Sequence, residues 1–246
     1  MRTADMKLQN SSAKDANSVL LIIPAYNEAE NIQKVVEELL RDYPQFDYVV
    51  VTDGSTDGTD ELCRRAGYRC INLPVNLGLA GCFQAGMKYA DRGGYAFAVQ
   101  FDGDGQHRPE FIAAMQQKME EGYDLVLGSR FLAQTDSRMN GLRSLGSCLI
   151  RLAIRLTTGV TVTDPTCGLR MYNRDMIDLF ANRLNFAPEP DTISFLIKNG
   201  ARVAEVPVHV AEREGGQSYL RPLNAAKYMV RMLTSILLIQ NFRAKR

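Results

Sequence analysis

Apolar runs of four or five residues alternate along the first half of the chain with segments whose apolar positions recur every three or four residues. The first run, residues 19–23, reads Val-Leu-Leu-Ile-Ile and predicts a buried strand that Pro24 ends. Asn27 is placed to cap a following helix with Glu28 and Glu30 in its first turn. The apolar face of that helix would be Ile32, Val35, Val36, Leu39 and Leu40. Further strands are predicted at 48–51, 70–73, 96–99 and 124–128. Helices fall between them, one ending near Ala66, one near Tyr89 and one starting at Pro109. Strand and helix in alternation is the signature of a parallel sheet covered on both faces. The second half predicts a helix over 141–157, a strand over 203–210 and a helix from Pro222. No internal repeat or low-complexity tract interrupts the pattern.

Composition narrows the partners. At 246 residues the chain is long enough for one large α/β domain. A formal net charge of +1 supplies no basic field, so nucleic acid is not an expected partner. The five cysteines form no Cys-x-x-Cys pair and read as small buried thiols in a reducing compartment. Residues 1–18 carry charges where a signal peptide needs an apolar core, and read as a lead-in. No segment has the uninterrupted apolar length of a membrane span, so a cytoplasmic location is expected.

The chemistry concentrates where strands end. Asp102-Gly103-Asp104-Gly105-Gln106-His107 follows the fourth apolar run, which puts two carboxylates and an amide at alternate positions at a carboxyl strand end. Open α/β sheets bind ligands at that edge. Oxygen ligands without a cysteine cluster favour Mg²⁺ or Mn²⁺. Asp-x-Asp with glycines is also a common solvated turn, and the residues alone leave both readings open. The loops at 24–28 and 53–59 would open onto the same edge. Neither Gly-x-Gly-x-x-Gly after the first strand nor a Walker sequence is present, which argues against dinucleotide oxidoreductases and P-loop enzymes. A nucleotide sugar remains as the natural ligand.

Taken in order, Pro24-Ala25-Tyr26-Asn27-Glu28, Asp53-Gly54-Ser55-Thr56-Asp57-Gly58-Thr59, Asn76-Leu77-Gly78, the Asp102 segment and Gly128-Ser129-Arg130 resemble the motifs of family 2 glycosyltransferases. More narrowly the chain resembles the dolichyl-phosphate mannose synthase and polyprenyl-phosphate glycosyltransferase branch. Each motif is weak and their order is specific. The resemblance implies a Rossmann-like nucleotide-diphospho-sugar transferase fold of the glycosyltransferase A type, with a mixed, mostly parallel sheet. It implies a catalytic domain over 19–220 and an amphipathic basic helix over 221–246. By that resemblance Asp102, Asp104 and Gln106 hold a Mg²⁺ or Mn²⁺ ion on the diphosphate of a UDP- or GDP-linked sugar, and Pro24, Tyr26, Glu28 and Asp53 contact the nucleoside. Thr52 departs from the pattern by standing where most members carry a first acid. A hydroxyl cannot replace a charged acceptor, which leaves the base open.

The same resemblance places Arg130, Arg143 and Ser147 around the phosphate of a polyprenyl (dolichyl or undecaprenyl) phosphate acceptor, a group that arginine forks match well. Asp164, in Asp164-Pro165-Thr166-Cys167-Gly168-Leu169-Arg170, is assigned to orienting acceptor or sugar. Arg213 lies in a loop implied to reach the donor diphosphate, and Glu189-Pro190-Asp191 resembles an acidic segment before a late helix. A phosphomonoester is already mostly anionic at neutral pH, its second pKa being roughly 6, so the acceptor needs positioning more than a general base. In-line attack would invert the anomeric carbon. Asp104, Asp164, Arg130 and Arg143 are the expected catalytic set.

From Pro222 the apolar helical face is interrupted by Lys227 and Arg231. Such a helix can lie at the inner face of a membrane, alone or on a small membrane protein partner, or pack on the core, and both stay open. His107 and His209 are too far apart in sequence to suggest a zinc pair. A sugar-phosphate nucleotidyltransferase would need a glycine-rich basic loop after the first strand. A non-catalytic nucleotide-sugar scaffold leaves the acids and arginines unexplained, and a family 2 transferase with another surface-polysaccharide acceptor is the remaining alternative. Processive polymerases carry a Gln-x-x-Arg-Trp element, and this chain has no Trp.

Overall fold

The structure, a computed structural model, describes residues 15, 17–103, 108–132, 141–209 and 222–241, and for 141–145, 222–226 and 241 the backbone alone. Strands β1 (Val19–Ala25), β2 (Asp47–Asp53), β3 (Cys70–Leu73) and β4 (Phe97–Gln100) run parallel in the spatial order β3-β2-β1-β4. Helices α1 (Ile32–Asp42), α2 (Thr59–Ala66) and α3 (Gly78–Arg92) connect them. After α4 (Ile112–Glu120), β5 (Leu125–Ser129) does not pair with β4. The three-residue β6 (Arg170–Tyr172) wedges between them, antiparallel to both, and β7 (Val203–Pro207) closes the edge parallel to β5. Among the described residues the sheet has seven strands and mixed direction. Helices α5 (Gly141–Thr158), α6 (Arg174–Asn182), α7 (Pro190–Lys198) and α8 (Pro222–Leu237) are the remaining α-helices among the described residues.

The strands read as continuous apolar runs because the sheet is buried on both faces. Leu20, Ile22, Val49, Val51, Ala98, Leu125 and Leu127 enter one core. Their alternates Val19, Leu21, Ile23, Val50, Val99 and Val126 enter the other. On the first face Gly86 of α3 lies so close to β1 that a Cβ there would overlap Ile22. Helix α1 buries Ile32, Val35, Val36 and Leu39 at helical spacing.

Several local expectations are corrected. Pro24 does not end the first strand but pairs with Val51, in a part of β1 that runs past its last β4 partner, Ile22. Asn27 caps no helix. It sits at φ 56° and α1 begins five residues later, at Ile32. Leu40 faces solvent. The strand expected over 203–210 ends at Pro207. Neither β6 nor α6 stands out in the pattern, the first because three residues, one of them Arg, show no period.

Helix α8 packs on α5 and α7, with Met232 and Ile236 buried. A Cβ on Gly146 of α5 would meet Met229 Sδ at 3.0 Å, so that glycine sets how near the two helices lie. Polar contacts add to this packing. Arg231 Nη2 donates to both oxygens of Glu189, at 2.7 and 2.8 Å. Buried Asp191 accepts from Ser235 Oγ at 2.6 Å and from Gln240 Nε2 at 3.3 Å. The outer side of α8 leaves Val230 exposed, with Leu238 and Ile239 exposed just past its end.

Candidate active site

The loops after β1 and β2 are laced together. Thr56 N donates to Asn27 Oδ1 at 2.8 Å and Asn27 N to Ser55 Oγ at 3.2 Å. Glu28 N donates to Thr59 Oγ1 at 3.0 Å and Ala29 N to Asp57 Oδ2 at 3.0 Å. Asp57 also accepts from the Thr59 amide and hydroxyl. Burial pushes its acidity the other way, but the bonds from Thr59 and Ala29 hold the Asp57 carboxyl below the ordinary value. This lacing explains the left-handed Asn27, whose side chain bonds the neighbouring loop instead of starting a helix. Tyr26 and Glu28, two of the expected nucleoside contacts, stand at this laced edge with Tyr26 exposed and Glu28 half-buried.

Asp53 is buried at the end of β2, and the Leu77 and Gly78 amides donate to its two oxygens at 2.7 and 2.8 Å. Its carboxylate therefore fixes the start of α3. Gly54 follows at φ 65°, where a Cβ would meet Asn76 N at 2.9 Å, so only glycine lets the two loops close. Thr52, fully buried, donates from Oγ1 to Asn72 Oδ1 at 3.2 Å, and Cys70 Sγ donates to the same oxygen at 2.8 Å. In the first turn of α2, Asp60 Oδ1 is buried without a hydrogen-bond partner.

Asp102 is half-buried two residues beyond β4. Gly103 beside it approaches the Pro24 carbonyl so nearly that a Cβ would stand 3.1 Å from that oxygen, which brings the carboxylate loop onto the end of β1. Asp104, Gln106 and His107 lie outside the described residues, as does Arg213. Among the described residues no cluster of three His, Cys, Asp or Glu could hold a metal. The expected donors, the carboxylates of Asp102 and Asp104 and the amide oxygen of Gln106, are all oxygens, and the described one, Asp102, stands at the carboxyl edge of the sheet. That chemistry fits Mg²⁺ or Mn²⁺. His209 packs against Phe111 with ring centroids 6.0 Å apart.

A second polar centre joins β5, the loop before β6 and β7. Arg130 directs its fork at Asp164, Nε to Oδ2 at 2.6 Å and Nη2 to Oδ1 at 2.8 Å, and Nη2 also reaches Thr166 Oγ1 at 2.9 Å. Asp164 is fully buried and the Arg130 side chain 28% exposed. The hydrogen bond to Asp164 holds the Arg130 proton more firmly than usual, against the opposing effect of burial. Behind Asp164 stands Glu205 of β7, a residue the sequence reading did not single out. Glu205 accepts from the Thr163 amide at 2.9 and 2.7 Å, the Thr163 hydroxyl at 2.9 Å and the Asp164 amide at 2.9 Å. Buried Arg170 donates to the Cys167 and Pro165 carbonyls, both at 3.0 Å, and braces the same loop. The structure thus joins Arg130 with Asp164. Arg143 and Ser147 lie on α5, where Arg143 is described only in backbone and Ser147 Oγ is buried without a hydrogen-bond partner.

The outer face of α5 is apolar. Leu149, Leu152, Leu156 and, just past its end, Val160 are exposed, Leu152 at 51% and Leu156 at 72%. Arg155 interrupts the stripe, and Arg151 turns over the Phe131 ring at 5.1 Å. Among the described residues no helix is long and apolar enough to cross a membrane.

Comparison with known proteins gives this geometry relatives. The model of the family described as Glycosyl transferase family 2 matches residues 20–180. The polyprenol monophosphomannose synthase of Mycolicibacterium smegmatis is 33% identical over 90% of this chain and 88% of its own. The undecaprenyl-phosphate mannosyltransferase of Micrococcus luteus is 31% identical over 81% of this chain and 86% of its own. Among solved structures, glucosyl-3-phosphoglycerate synthase from Mycobacterium tuberculosis, in complex with Mn²⁺ and UDP-glucose, superposes with a TM-score of 0.67 at 21% identity, covering 96% of this chain and 83% of its own. That likeness establishes the fold.

Proposed function

This chain belongs to glycosyl transferase family 2, and on that premise we propose that it moves a sugar, with inversion, from a nucleotide-diphospho-sugar to a polyprenyl phosphate held at a membrane. The observation that carries the acceptor is α5, where a buried hydroxyl without a partner among the described residues, Ser147, belongs to a helix whose outer face is a row of leucines. Leaving a buried polar group unpaired costs about 1–3 kcal/mol. A phosphate with an apolar tail answers both features, because its oxygens satisfy Ser147 and Arg143 while its prenyl units cover the leucines. Relatives whose names state polyprenol and undecaprenyl-phosphate substrates support that reading.

On the donor side, Tyr26, Glu28 and Pro24 border the nucleoside at the laced edge, and Asp53 keeps the start of α3 in place beneath it. Asp102, Asp104 and Gln106 would hold Mg²⁺ or Mn²⁺, which when bound offsets charge on the departing diphosphate. Arg213 adds a positive charge to the same group. Asp164 fixes the plane of the Arg130 guanidinium. The remaining Arg130 donors and the Arg143 fork then orient the attacking phosphate oxygen in line with the anomeric carbon. The enzyme works at the cytoplasmic face of a membrane, directly or on a small membrane protein, with the α5 stripe toward the lipid. Exposed Lys227 of α8 favours anionic headgroups.

The test is transfer of labelled sugar from UDP- and GDP-sugars into butanol-extractable lipid with added polyprenyl phosphate. Label enters the lipid phase, EDTA abolishes it, and Mg²⁺ or Mn²⁺ restores it. Transfer that EDTA leaves undiminished removes the cation from the scheme, and label found only in water-soluble product removes the lipid acceptor.

A further inference from the structure

Thr52, a buried neutral residue near the carboxyl end of β2, has a partner across the sheet. Thr52 of β2 lies opposite Asn72 of β3 in the parallel register. Two donors, the Thr52 hydroxyl at 3.2 Å and the Cys70 thiol at 2.8 Å, converge on Asn72 Oδ1. With its oxygen turned inward and engaged, the amide must turn its NH₂ outward, and Asn72 is exposed at the carboxyl end of its strand. The amide is therefore a hydrogen-bond donor at the carboxyl edge of the sheet, on the strand next to β2, whose following loop carries Ser55.

We infer that Asn72 reads the donor's nucleobase and that this base is uracil, its 4-carbonyl accepting from the Asn72 amide. The inference rests on the donor reading above and adds the base to it. Uracil presents one N–H between two carbonyl oxygens. Guanine presents two parallel donors, N1–H and N2–H, which a carboxylate receives best. Beside Asn72 stands Thr52, neutral and committed to Asn72. The carboxylate of the next residue, Asp53, is committed to the Leu77 and Gly78 amides. Cytosine carries an amino group where uracil carries its 4-carbonyl, and would set donor against donor at Asn72.

Calorimetric titration of UDP, GDP and CDP in excess Mn²⁺, with wild type and Asn72→Asp, tests this. Wild type binds UDP about tenfold or more tighter than the other two, as one lost hydrogen bond with one misplaced donor implies. In Asn72→Asp the outward donor becomes an acceptor, which weakens UDP about tenfold and raises the relative affinity for CDP. Asp60→Asn leaves the wild-type order intact. GDP or CDP equalling UDP in wild type, an unchanged UDP-to-CDP ratio in Asn72→Asp, or a lost UDP preference in Asp60→Asn overturns the inference alone. If none of the three nucleotides binds with Mn²⁺, the donor reading falls and this inference with it.

Discussion

Asp164 illustrates how a residue's neighbours decide its use. Fully buried, it is matched by the Arg130 fork in front and anchored through its own amide to Glu205 behind. Removing one partner of a buried pair leaves the other uncompensated, so Asp164→Ala should cost about 3 kcal/mol of stability. Asp164→Asn, which keeps the shape and loses the charge, should lower kcat roughly 100-fold by letting the Arg130 plane turn. Stopped-time transfer assays beside thermal melts separate the two effects. Glu205→Ala strips the acceptor from the Thr163 and Asp164 amides and should cost about 2 kcal/mol. A melt within a degree of wild type would show that water replaces the carboxylate there. Asp164 was legible in the sequence through its Asp-Pro motif. Glu205 was not, because one acid in a short strand gives no sign of which loop it will meet.

Between elements, packing is closest where glycine stands. Gly86 lets α3 lie flush on β1, and Gly86→Ala forces a methyl into Ile22. Overpacking of that kind costs about 1–3 kcal/mol and lowers Tm by roughly 2–4 °C per kcal/mol in a chain of this size. The junction of α7 with α8 carries a pH dependence. Burial raises the Glu189 carboxyl above its ordinary value, and the nearby Arg231 only partly offsets this. An acid whose pKa is raised on folding binds its proton more tightly folded than unfolded. Stability therefore rises as pH falls from the raised value toward the ordinary glutamate range, and falls again as pH climbs back through that window. Wild type should show that slope in Tm against pH and Glu189→Gln should lose it, whereas equal slopes would mean that the group is solvated. Periodicity located α1 through its buried residues, yet it could not foresee β6 or that Asn27 serves a neighbouring loop.

For the molecule as a whole, α5 and α8 share one problem, since each has a buried face and an outward face that also carries apolar side chains. The polar contacts of Glu189 and Asp191 with α8 tie that helix to the domain, and the α5 stripe is the surface proposed to meet lipid. Leu152→Asp with Leu156→Asp should cut sedimentation with anionic vesicles, and transfer to long polyprenyl phosphates, about tenfold or more. Transfer to a short, water-soluble prenyl phosphate should stay near wild type. Loss of both activities alike would place the leucines in the catalytic fold instead of at a membrane.

The sequence by itself determined the alternating architecture of the first half, the carboxyl-edge loops and the branch of the family, because buried strands, amphipathic helices and ordered motifs are written in local residue patterns. The tertiary structure alone decided that β6 runs against its neighbours, that Arg130 turns to Asp164 with Glu205 behind it, and that Asn72 accepts from Thr52 and Cys70. Those outcomes depend on which side chains meet across long stretches of chain, and hydrogen bonds and ion pairs form by proximity in space, to which spacing along the chain is blind.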